Sequence, residues 1–330
     1  MKKIGLIQIF SKRYGGVIYM QQLAETLSGE FGLETVNLEA THLRKRRYLK
    51  FLESFYYLFK LKGEKNLWIR DFYSTLSLSK KRTIGKNLVM VFHIDFLKFP
   101  LFSRIPLFLL EKLFFYRQLK KVDAIVTISE YWKDYFLEKG YKNVYKIYCG
   151  FDLDNFNITE EEILEFKKKH KLEGKPIIYL GNCQKVKGVV DAYRALKNLD
   201  AYLVTSSRKQ ANIPTLNFNF DYRDYLKLLK ASSVVITMSK FKEGWCMTAH
   251  EAMLCKTPVI GSGLGGMKEL LDGGKQVVCG DFKNLKEKVE FLLEHPGNRK
   301  KMGEDGYNFA KGFTAERFKE DWLNLIKKII

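Results

Sequence analysis

Long hydrophobic runs, paired cysteines and internal repeats are missing from this sequence of 330 residues. No stretch of about 18 uncharged apolar residues is present, which excludes a transmembrane helix. The five cysteines form no CxxC pair, so they are expected to be reduced thiols of a cytosolic protein and not metal ligands. The apolar run in the opening MKKIGLIQIF is too short for the core of a signal peptide and predicts a first β-strand.

Composition and charge narrow the class of protein further. A hydrophobic content of 46% and an aromatic content of 14% exclude a disordered chain, and the length predicts two domains. The net charge is +20, and residues 1–150 carry 27 Lys and Arg against 13 Asp and Glu, which gives this half +14. An anionic partner is therefore expected to meet the first half of the chain.

Buried-strand patterns alternate with helical patterns along the whole chain. KIGLIQIF, NLVMVFHID and DAIVTIS are each followed by a helical stretch, and the alternation restarts after Gly150 with PIIYLG, AYLVTSS, SVVITMS and TPVIGS. This pattern predicts parallel sheets flanked by helices in two doubly wound domains. Ligands of such sheets bind at the carboxyl ends of the strands, so a cleft between the two domains is the expected site.

Two glycine-containing loops follow predicted strands and suit phosphate binding. The first, Ser11 to Gly16, precedes a helix expected from about Val17. The second, Gly181 to Gly188, carries Lys185 and Lys187 at the end of PIIYL. A plain βα turn and a pair of solvated lysines are the structural alternatives. Neither loop has the GxGxxG or GxxxxGK[ST] pattern, so neither a dinucleotide nor a P-loop NTPase is indicated.

Two glutamates, Glu243 and Glu251, enclose a mostly uncharged segment. Thr248 and Glu251 have the spacing of a capping box, in which each side chain bonds the backbone N–H of the other residue. This structural interpretation leaves Glu243 unexplained, because Glu243 precedes Gly244 outside the expected helix. A carboxylate at the end of a strand also accepts hydrogen bonds from sugar hydroxyls.

These features belong to one series of motifs. In chain order they are Lys187-Gly188, Glu243 with Glu251 (E-x7-E), Pro258-Val259, and Gly265-Gly266 with Glu269 (Gly-Gly-x-x-Glu). With them the chain resembles the retaining, nucleotide-sugar-dependent glycosyltransferases of family four, also called glycosyl transferases group 1. The resemblance implies the α/β GT-B fold, with two doubly wound, Rossmann-like domains facing across a cleft. The expected domains are an acceptor-side domain over 1–155, a nucleotide-sugar domain over 156–314, and a helix over 315–330 that packs back on the first domain.

The resemblance also implies roles for individual residues. Glu251 is expected to bind the ribose, and the residues expected to bind the nucleotide or its phosphates are Gly15, Gly16, Asn182, Lys185, Lys187 and Glu251. The residues expected to contact the donor sugar are Glu243, Gly244, Trp245, Cys246, Met247 and Thr248. The catalytic residues are expected to be His93, Lys187 and Glu243, and no metal or other cofactor is implied; we find no DxD triplet able to hold a metal between phosphates.

Two positions of the expected donor site depart from the family pattern, and a further departure is Cys149-Gly150, where the family usually has Asn-Gly before the domain crossing. Asn182 replaces the arginine that usually contacts the phosphates, and Cys246 replaces the glycine three residues after Glu243. His93, at the end of the predicted strand NLVMVFHID, occupies the place where relatives have a functional histidine near the donor sugar. A lone histidine at such a place is otherwise a structural residue.

The expected activity is transfer of a hexose-type sugar from a nucleotide-diphosphate sugar to a glycan or lipid-linked acceptor, with retention of configuration. The basic and aromatic residues of Leu43–Lys65 and of 96–121 are suited to contact with an anionic membrane surface. Helices that pack against the core would explain the same residues. A cytoplasmic location, with peripheral attachment to the inner face of the membrane, is expected. Two alternatives remain: a nucleotide-sugar 2-epimerase of the same fold, and a non-enzymatic binder of an anionic ligand or nucleic acid, although no nucleic-acid module is recognised.

Overall fold

The computed structural model describes residues 1–8, 15–42, 49–71, 73–80, 82–94, 105, 108–109 and 111–330. The chain separates into two compact units. The first consists of Met1–Gly150 together with Ala315–Ile330, and the second of Phe151–Thr314. Each unit contains a parallel sheet flanked by helices, which is the α/β architecture that the alternating pattern predicts.

The first unit is built on a sheet whose strands are β1 (Lys3–Gln8), β2 (Gly32–Asn37), β3 (Gly63–Arg70), β4 (Thr83–Met90), β5 (Ala124–Thr127) and β6 (Val144–Lys146). They form a six-stranded parallel sheet in the order β2-β1-β3-β4-β5-β6. Its helices are α1 (Gly15–Ser28), α2 (Leu49–Lys60), α3 (Tyr116–Leu119) and α4 (Glu130–Glu138). A 3-10 helix covers Tyr73–Lys80, and a π-helical turn covers Glu111–Phe115.

The second unit repeats this plan with β7 (Ile177–Tyr179), β8 (Tyr202–Ser206), β9 (Leu216–Phe218), β10 (Val234–Thr237), β11 (Val259–Gly261) and β12 (Val277–Val278). The strand order is β12-β11-β10-β7-β8-β9, again parallel. The α-helices of this unit are α5 (Glu160–Lys169), α6 (Val189–Leu196), α7 (Tyr222–Ala231), α8 (Met247–Leu254), α9 (Gly266–Gly273), α10 (Leu285–Glu294) and α11 (Pro296–Ala310). Short 3-10 helices cover Leu153–Phe156, Lys185–Lys187 and Phe282–Asn284.

Local sequence explains where two of these helices begin. At α5, Thr159 and Glu162 form a complete capping box. At α7, the carboxylate of Asp221 accepts a hydrogen bond of 2.9 Å from the backbone N–H of Asp224. In both cases a side-chain oxygen satisfies a backbone donor that the first turn leaves unpaired.

The last helix, α12 (Ala315–Ile329), belongs to the first unit. Trp322, fully buried, donates from Nε1 to the hydroxyl of Tyr19 at 3.0 Å. That hydroxyl donates in turn to the carbonyl of Ile147 at 3.0 Å. The chain thus returns to its first unit through a buried contact between residues at its two ends.

In each sheet there is one point at which the strand order reverses, with later strands added outward on either side of it. In the second unit this point lies between β7 and β10, since β8 lies beyond β7 on one side and β11 beyond β10 on the other. In the first unit it lies between β1 and β3. A doubly wound sheet binds ligands outside the carboxyl ends of the strands at such a point, so the segments after β7 and β10 are where a site is expected.

Candidate functional site

The reversal point of the second unit brings together the loop after β7 and the segment after β10. Lys187, from the first of these, lies with its Nζ 2.5 Å from Glu243 Oε1. The same carboxylate oxygen accepts a hydrogen bond from the hydroxyl of Ser239, which is buried behind it. Two residues that the sequence predicts for one site are therefore in direct contact. Burial is the largest single influence and lowers the pKa of Lys187, but the charge and hydrogen bond of Glu243 together with the contribution of Cys246 raise this pKa overall.

The glycine loop after β11 holds the backbone of Glu243. The N–H of Glu243 donates to Leu264 O at 3.0 Å, and the N–H of Gly266 donates to Glu243 O at 2.9 Å. Gly265 has a φ of 69°, and a Cβ at this position would lie 2.5 Å from Glu243 O. Glycine is required here because both its left-handed backbone and its close approach exclude a side chain. The Gly-Gly-x-x-Glu motif thus fixes the position of the first glutamate of E-x7-E.

Glu251, on α8, contacts a different set of side chains. Its Oε1 accepts a hydrogen bond from Tyr222 at 3.2 Å and its Oε2 accepts one from Tyr225 at 3.0 Å. Burial raises the pKa of Glu251 to about 7, although the two tyrosine hydroxyls oppose the shift. The carboxyl is therefore near its midpoint of ionisation at neutral pH.

The capping-box interpretation of Thr248 and Glu251 is wrong. A capping residue has a non-helical backbone, but the chain is already helical from Met247 and the N-cap position is Cys246. The N–H of His250 donates to Cys246 O at 3.1 Å and closes the first turn. The Glu251 side chain is bonded to α7 instead of to its own helix end.

Trp245 and Cys246 are both buried, beneath the start of α8. Trp245 Nε1 donates to His250 Nδ1 at 3.1 Å, so Nε2 of that imidazole carries the proton and donates to Ala310 O at 3.1 Å. Burial lowers the pKa of His250 to about 3 and raises the pKa of the Cys246 thiol to about 12. Both groups are therefore neutral at physiological pH, and the thiol stands where the family pattern has glycine.

The other predicted residues of the loop after β7 are partly or fully exposed. Asn182 is half-buried, and its Oδ1 accepts from the N–H of Gln184 at 3.2 Å, while Lys185 is exposed. Gly188 has a φ of 71°, and a Cβ there would collide with Met238 O. The loop thus passes so close to the segment after β10 that a side chain at position 188 is excluded.

The remaining predicted residues fall into two groups, one in the segment between the two glutamates and one in the first unit. Gly244, Met247 and Thr248 stand between the two glutamates, with Thr248 Oγ1 3.4 Å from the Tyr225 hydroxyl. Gly15 and Gly16 open α1, which begins two residues earlier than expected, and residues 11–14 of that loop lie outside the described residues. His93 is half-buried and follows β4, which ends at Met90 and not at the histidine itself. These three residues belong to the first unit.

One triplet of the sequence has the DxD spacing, Asp152-Leu153-Asp154. Asp152 caps the 3-10 helix that follows, accepting from the N–H of Asp154 at 3.1 Å. Among the residues that the structure describes, no group of three or more His, Cys, Asp and Glu side chains is placed to hold a metal ion.

Among the contacts of the two glutamates described above, three side chains escaped prediction from the sequence: Ser239, Tyr222 and Tyr225. Ser239 comes two residues after β10, where its position next to a strand end was a usable signal. The tyrosines open α7, whose relation to Glu251 depends on the packing of two helices. No local pattern carries that information.

Comparison with known proteins agrees with this architecture. The family model described as glycosyl transferases group 1 matches residues 206–309. A trehalose synthase from Pyrococcus horikoshii is 34% identical over 102 residues, which cover 30% of this chain and 24% of that protein. The chain thus spans about a quarter of the length of the first curated relatives that it matches.

Two solved structures resemble the chain over nearly its full length. Sucrose-phosphate synthase from Thermosynechococcus elongatus has a TM-score of 0.78 at 17% identity and covers 100% of this chain and 99% of its own. HepE from Anabaena, solved in complex with UDP-glucose, has a TM-score of 0.76 at 14% identity and covers 99% of this chain and 100% of its own.

The two doubly wound sheets and these likenesses define an α/β protein with the GT-B fold, as the sequence predicts. The segment that the glycosyl transferases group 1 model matches lies within the second unit, and this match confirms the resemblance stated from the motifs.

Proposed function

We propose that this protein is a glycosyltransferase that moves a hexose-type sugar from a nucleoside-diphosphate sugar to a glycan or lipid-linked acceptor, with retention of configuration. The observation that carries the proposal is the pairing of Lys187 with Glu243 at the carboxyl ends of β7 and β10. A diphosphate bound at this point requires a cation, and Lys187 supplies one in a partly dehydrated position.

The donor is assigned mainly to the second unit, with its nucleotide at Glu251 and its sugar at Glu243. Glu251 accepts hydrogen bonds from the ribose hydroxyls, and Lys187 contacts the diphosphate, with Gly15, Gly16, Asn182 and Lys185 as further phosphate-binding residues. Glu243 and the segment from Gly244 to Thr248 contact the sugar. HepE was solved with UDP-glucose, which supports a nucleotide sugar as the donor class.

Transfer breaks the bond between the anomeric carbon and the diphosphate oxygen, and leaves positive charge on the sugar and negative charge on the diphosphate. Lys187 stabilises the leaving diphosphate. The acceptor oxygen attacks from the same face, and its proton passes to the departing phosphate oxygen, which gives retention. His93 orients the sugar and is not the base.

The acceptor is assigned to the first unit. On α2, the side chains of Leu52, Tyr56 and Phe59 are spaced along one helix face and are 64%, 53% and 37% exposed. Lys60 Nζ lies 4.4 Å from the centroid of the Tyr56 ring. An exposed apolar face with adjacent cations suits a peripheral contact with an anionic membrane on its cytoplasmic side and a lipid-linked acceptor. Within the described part of the chain, no helix has the length and hydropathy needed to cross a bilayer.

A thermal-shift panel of UDP-, GDP- and ADP-sugars tests the donor assignment. A ligand at about 100 times its Kd stabilises the protein by about 2.7 kcal/mol, so one sugar nucleotide is expected to raise the Tm clearly. Lys187→Met is expected to abolish this increase. The matched control is Lys175→Met, which removes a lysine paired with Asp200 at the opposite end of β7. Equal shifts in both variants contradict the role of Lys187.

Product analysis tests the reaction itself. With donor and an acceptor extract, transfer with retained anomeric configuration is expected, and His93→Ala is expected to lower turnover strongly. Near-normal turnover of His93→Ala contradicts its role. Appearance of an epimerised nucleotide sugar without acceptor would establish the 2-epimerase alternative instead. Salt-dependent retention on DNA, without a thermal shift from any nucleotide sugar, would establish nucleic-acid binding.

Co-sedimentation with anionic vesicles tests the membrane assignment. Salt-sensitive binding is expected, and the pair Leu52→Ser with Phe59→Ser is expected to weaken it. Leu164→Ser serves as the control, because Leu164 is 67% exposed but lies on α5 of the second unit. Absence of salt-sensitive binding, or equal loss in the control, removes the membrane from the proposal.

A further inference from the structure

Two tyrosines of α7 hold the carboxylate of Glu251 from one side. Tyr222 and Tyr225 are three positions apart, so both side chains leave the same face of the helix. Each donates to a different carboxylate oxygen, Tyr222 to Oε1 at 3.2 Å and Tyr225 to Oε2 at 3.0 Å. Two donors on two oxygens fix the plane of a carboxylate, which one donor alone leaves free to rotate.

The tyrosines are themselves held in place. The Tyr225 hydroxyl is 3.4 Å from Thr248 Oγ1, and the Tyr225 ring packs edge-on against that of Tyr179 with centroids 6.1 Å apart. The Tyr179 hydroxyl in turn shares a hydrogen bond of 2.6 Å with Ser206 at the end of β8. The orientation of Glu251 is thereby fixed to two strands and to the neighbouring helix.

A carboxylate has about four lone-pair positions, and in the described residues two are used by these hydroxyls. The remaining capacity matches a group that donates two adjacent hydrogen bonds, such as the 2′ and 3′ hydroxyls of a ribose. Burial raises the pKa of Tyr222 and of Tyr225, and the Glu251 charge adds to both shifts. Both phenols therefore stay protonated and act as donors at physiological pH.

We infer that Tyr222 and Tyr225 are positioning residues that set the Glu251 carboxylate for the two hydroxyls of a ribose and so favour ribonucleoside over 2′-deoxyribonucleoside diphosphates. The inference rests on the proposed function, because that proposal assigns Glu251 to the ribose.

Calorimetric titration with UDP and with 2′-deoxy-UDP tests the inference. We expect wild-type protein to prefer UDP, and Tyr225→Phe to bind UDP about tenfold more weakly, since a hydrogen bond to a charged group is worth about 1.5 kcal/mol or more. The same variant is expected to weaken the binding of 2′-deoxy-UDP by only about threefold, because this probe keeps one of the two hydroxyls that Glu251 accepts from. Tyr222→Phe is expected to act in the same direction, and the double variant to lose the preference.

The control variant is Tyr202→Phe, which removes a tyrosine hydroxyl of the same unit that donates to Glu173 O at 2.9 Å. It is expected to bind both probes like wild type. If Glu251→Gln loses the preference for UDP but Tyr225→Phe and Tyr222→Phe keep it, the inference is wrong and the proposed function stands. If wild type shows no preference, or binds none of UDP, GDP and ADP, the ribose assignment fails and the inference fails with it.

A pH profile separates positioning from a general loss of packing. The titratable groups that face Glu251 are Tyr179 on β7, the two tyrosines of α7 and Cys255 after α8, and burial raises the pKa of each of them. Glu251, with its pKa at about 7, is therefore the member of this cluster that titrates near neutrality. UDP affinity is expected to fall as the pH falls through this value, and the midpoint in Tyr225→Phe is expected to move to higher pH. An unchanged midpoint contradicts the inference.

Discussion

Lys187 and Glu243 lie with Nζ and Oε1 2.5 Å apart, so the ammonium assigned to the diphosphate is paired with the carboxylate assigned to the sugar. A diphosphate must therefore compete with Glu243 for the same cation. Part of the attraction between lysine and phosphate is offset by the loss of this pair. Under the proposed function, the first glutamate of E-x7-E therefore opposes nucleotide binding and the second supports it.

Glu243→Gln is expected to separate nucleotide binding from transfer. Because the amide pairs weakly with Lys187, the affinity for UDP without a sugar should rise, on the order of fivefold or about 1 kcal/mol. Turnover with the sugar donor should fall, since the contact with the sugar is impaired. Calorimetry and a transfer assay measure the two effects.

The control for that experiment is Glu290→Gln, whose carboxylate pairs with Lys286 on the surface of α10 at 3.3 Å. It should change neither quantity, because an exposed pair contributes little. Weaker UDP binding by Glu243→Gln would show that Glu243 does not compete for Lys187.

Gly265→Ala is expected to destabilise the second unit. A methyl group at this φ of 69° is strained, and it would also press on the Glu243 backbone. The expected loss in the free energy of unfolding is about 1–3 kcal/mol, measured by urea titration. Gly297→Ala, within α11 and with nothing within 4 Å of its added Cβ, should instead stabilise by up to about 1 kcal/mol. A neutral Gly265→Ala would contradict the account of the glycine loop.

Stability should fall in acid because of His250. Its pKa is about 3 in the folded chain and its ordinary value is 6.5, so below 6.5 the unfolded chain binds the proton that the folded chain refuses. The wild type should therefore lose about 1.4 kcal/mol per pH unit relative to His250→Gln between these two values. Glu251 acts in the opposite sense, since its raised pKa makes its contribution disappear as pH rises from 4.5 to about 7.

The two groups are separated by measuring each variant against wild type over the same pH series. Urea unfolding of His250→Gln and of Glu251→Gln supplies the two differences. A pH-independent difference for His250→Gln would mean that the imidazole is accessible to protons in the folded protein.

The sequence was sufficient for the architecture and for placing Lys187 and Glu243 in one site. The alternation of apolar strand segments with segments of helical periodicity predicts both sheets, because buried parallel strands are apolar along their whole length. Lys187 and Glu243 follow strands that prove to be neighbours, so their contact follows from the strand order. The contacts of Glu251 were not predictable, because they depend on how α7 packs against α8. The spacing of Thr248 and Glu251 matches a capping box, and it is the start of the helix at Met247 that excludes one.

Thiol labelling tests whether the loop after β7 belongs to the site. Four of the five cysteines are buried, and Cys183, next to Asn182 in that loop, is the half-buried one. Its Sγ lies 3.6 Å from Asn217 Oδ1, a weak contact that leaves it open to reagents. A disulfide reagent should therefore titrate one thiol quickly in the folded protein and all five in denaturant. Cys183→Ser should remove the fast phase, whereas Cys279→Ser should leave it.

Bound UDP should slow this fast phase by about tenfold, because a diphosphate held by Lys187 covers the loop in which Cys183 lies. The rate is followed at saturating UDP, with uridine as the control that lacks phosphate. Protection by UDP but not by uridine would place the diphosphate at the loop. Equal rates with and without bound UDP would remove the loop, and Asn182 and Lys185 with it, from the phosphate-binding residues, while Lys187 would be judged by its own variant.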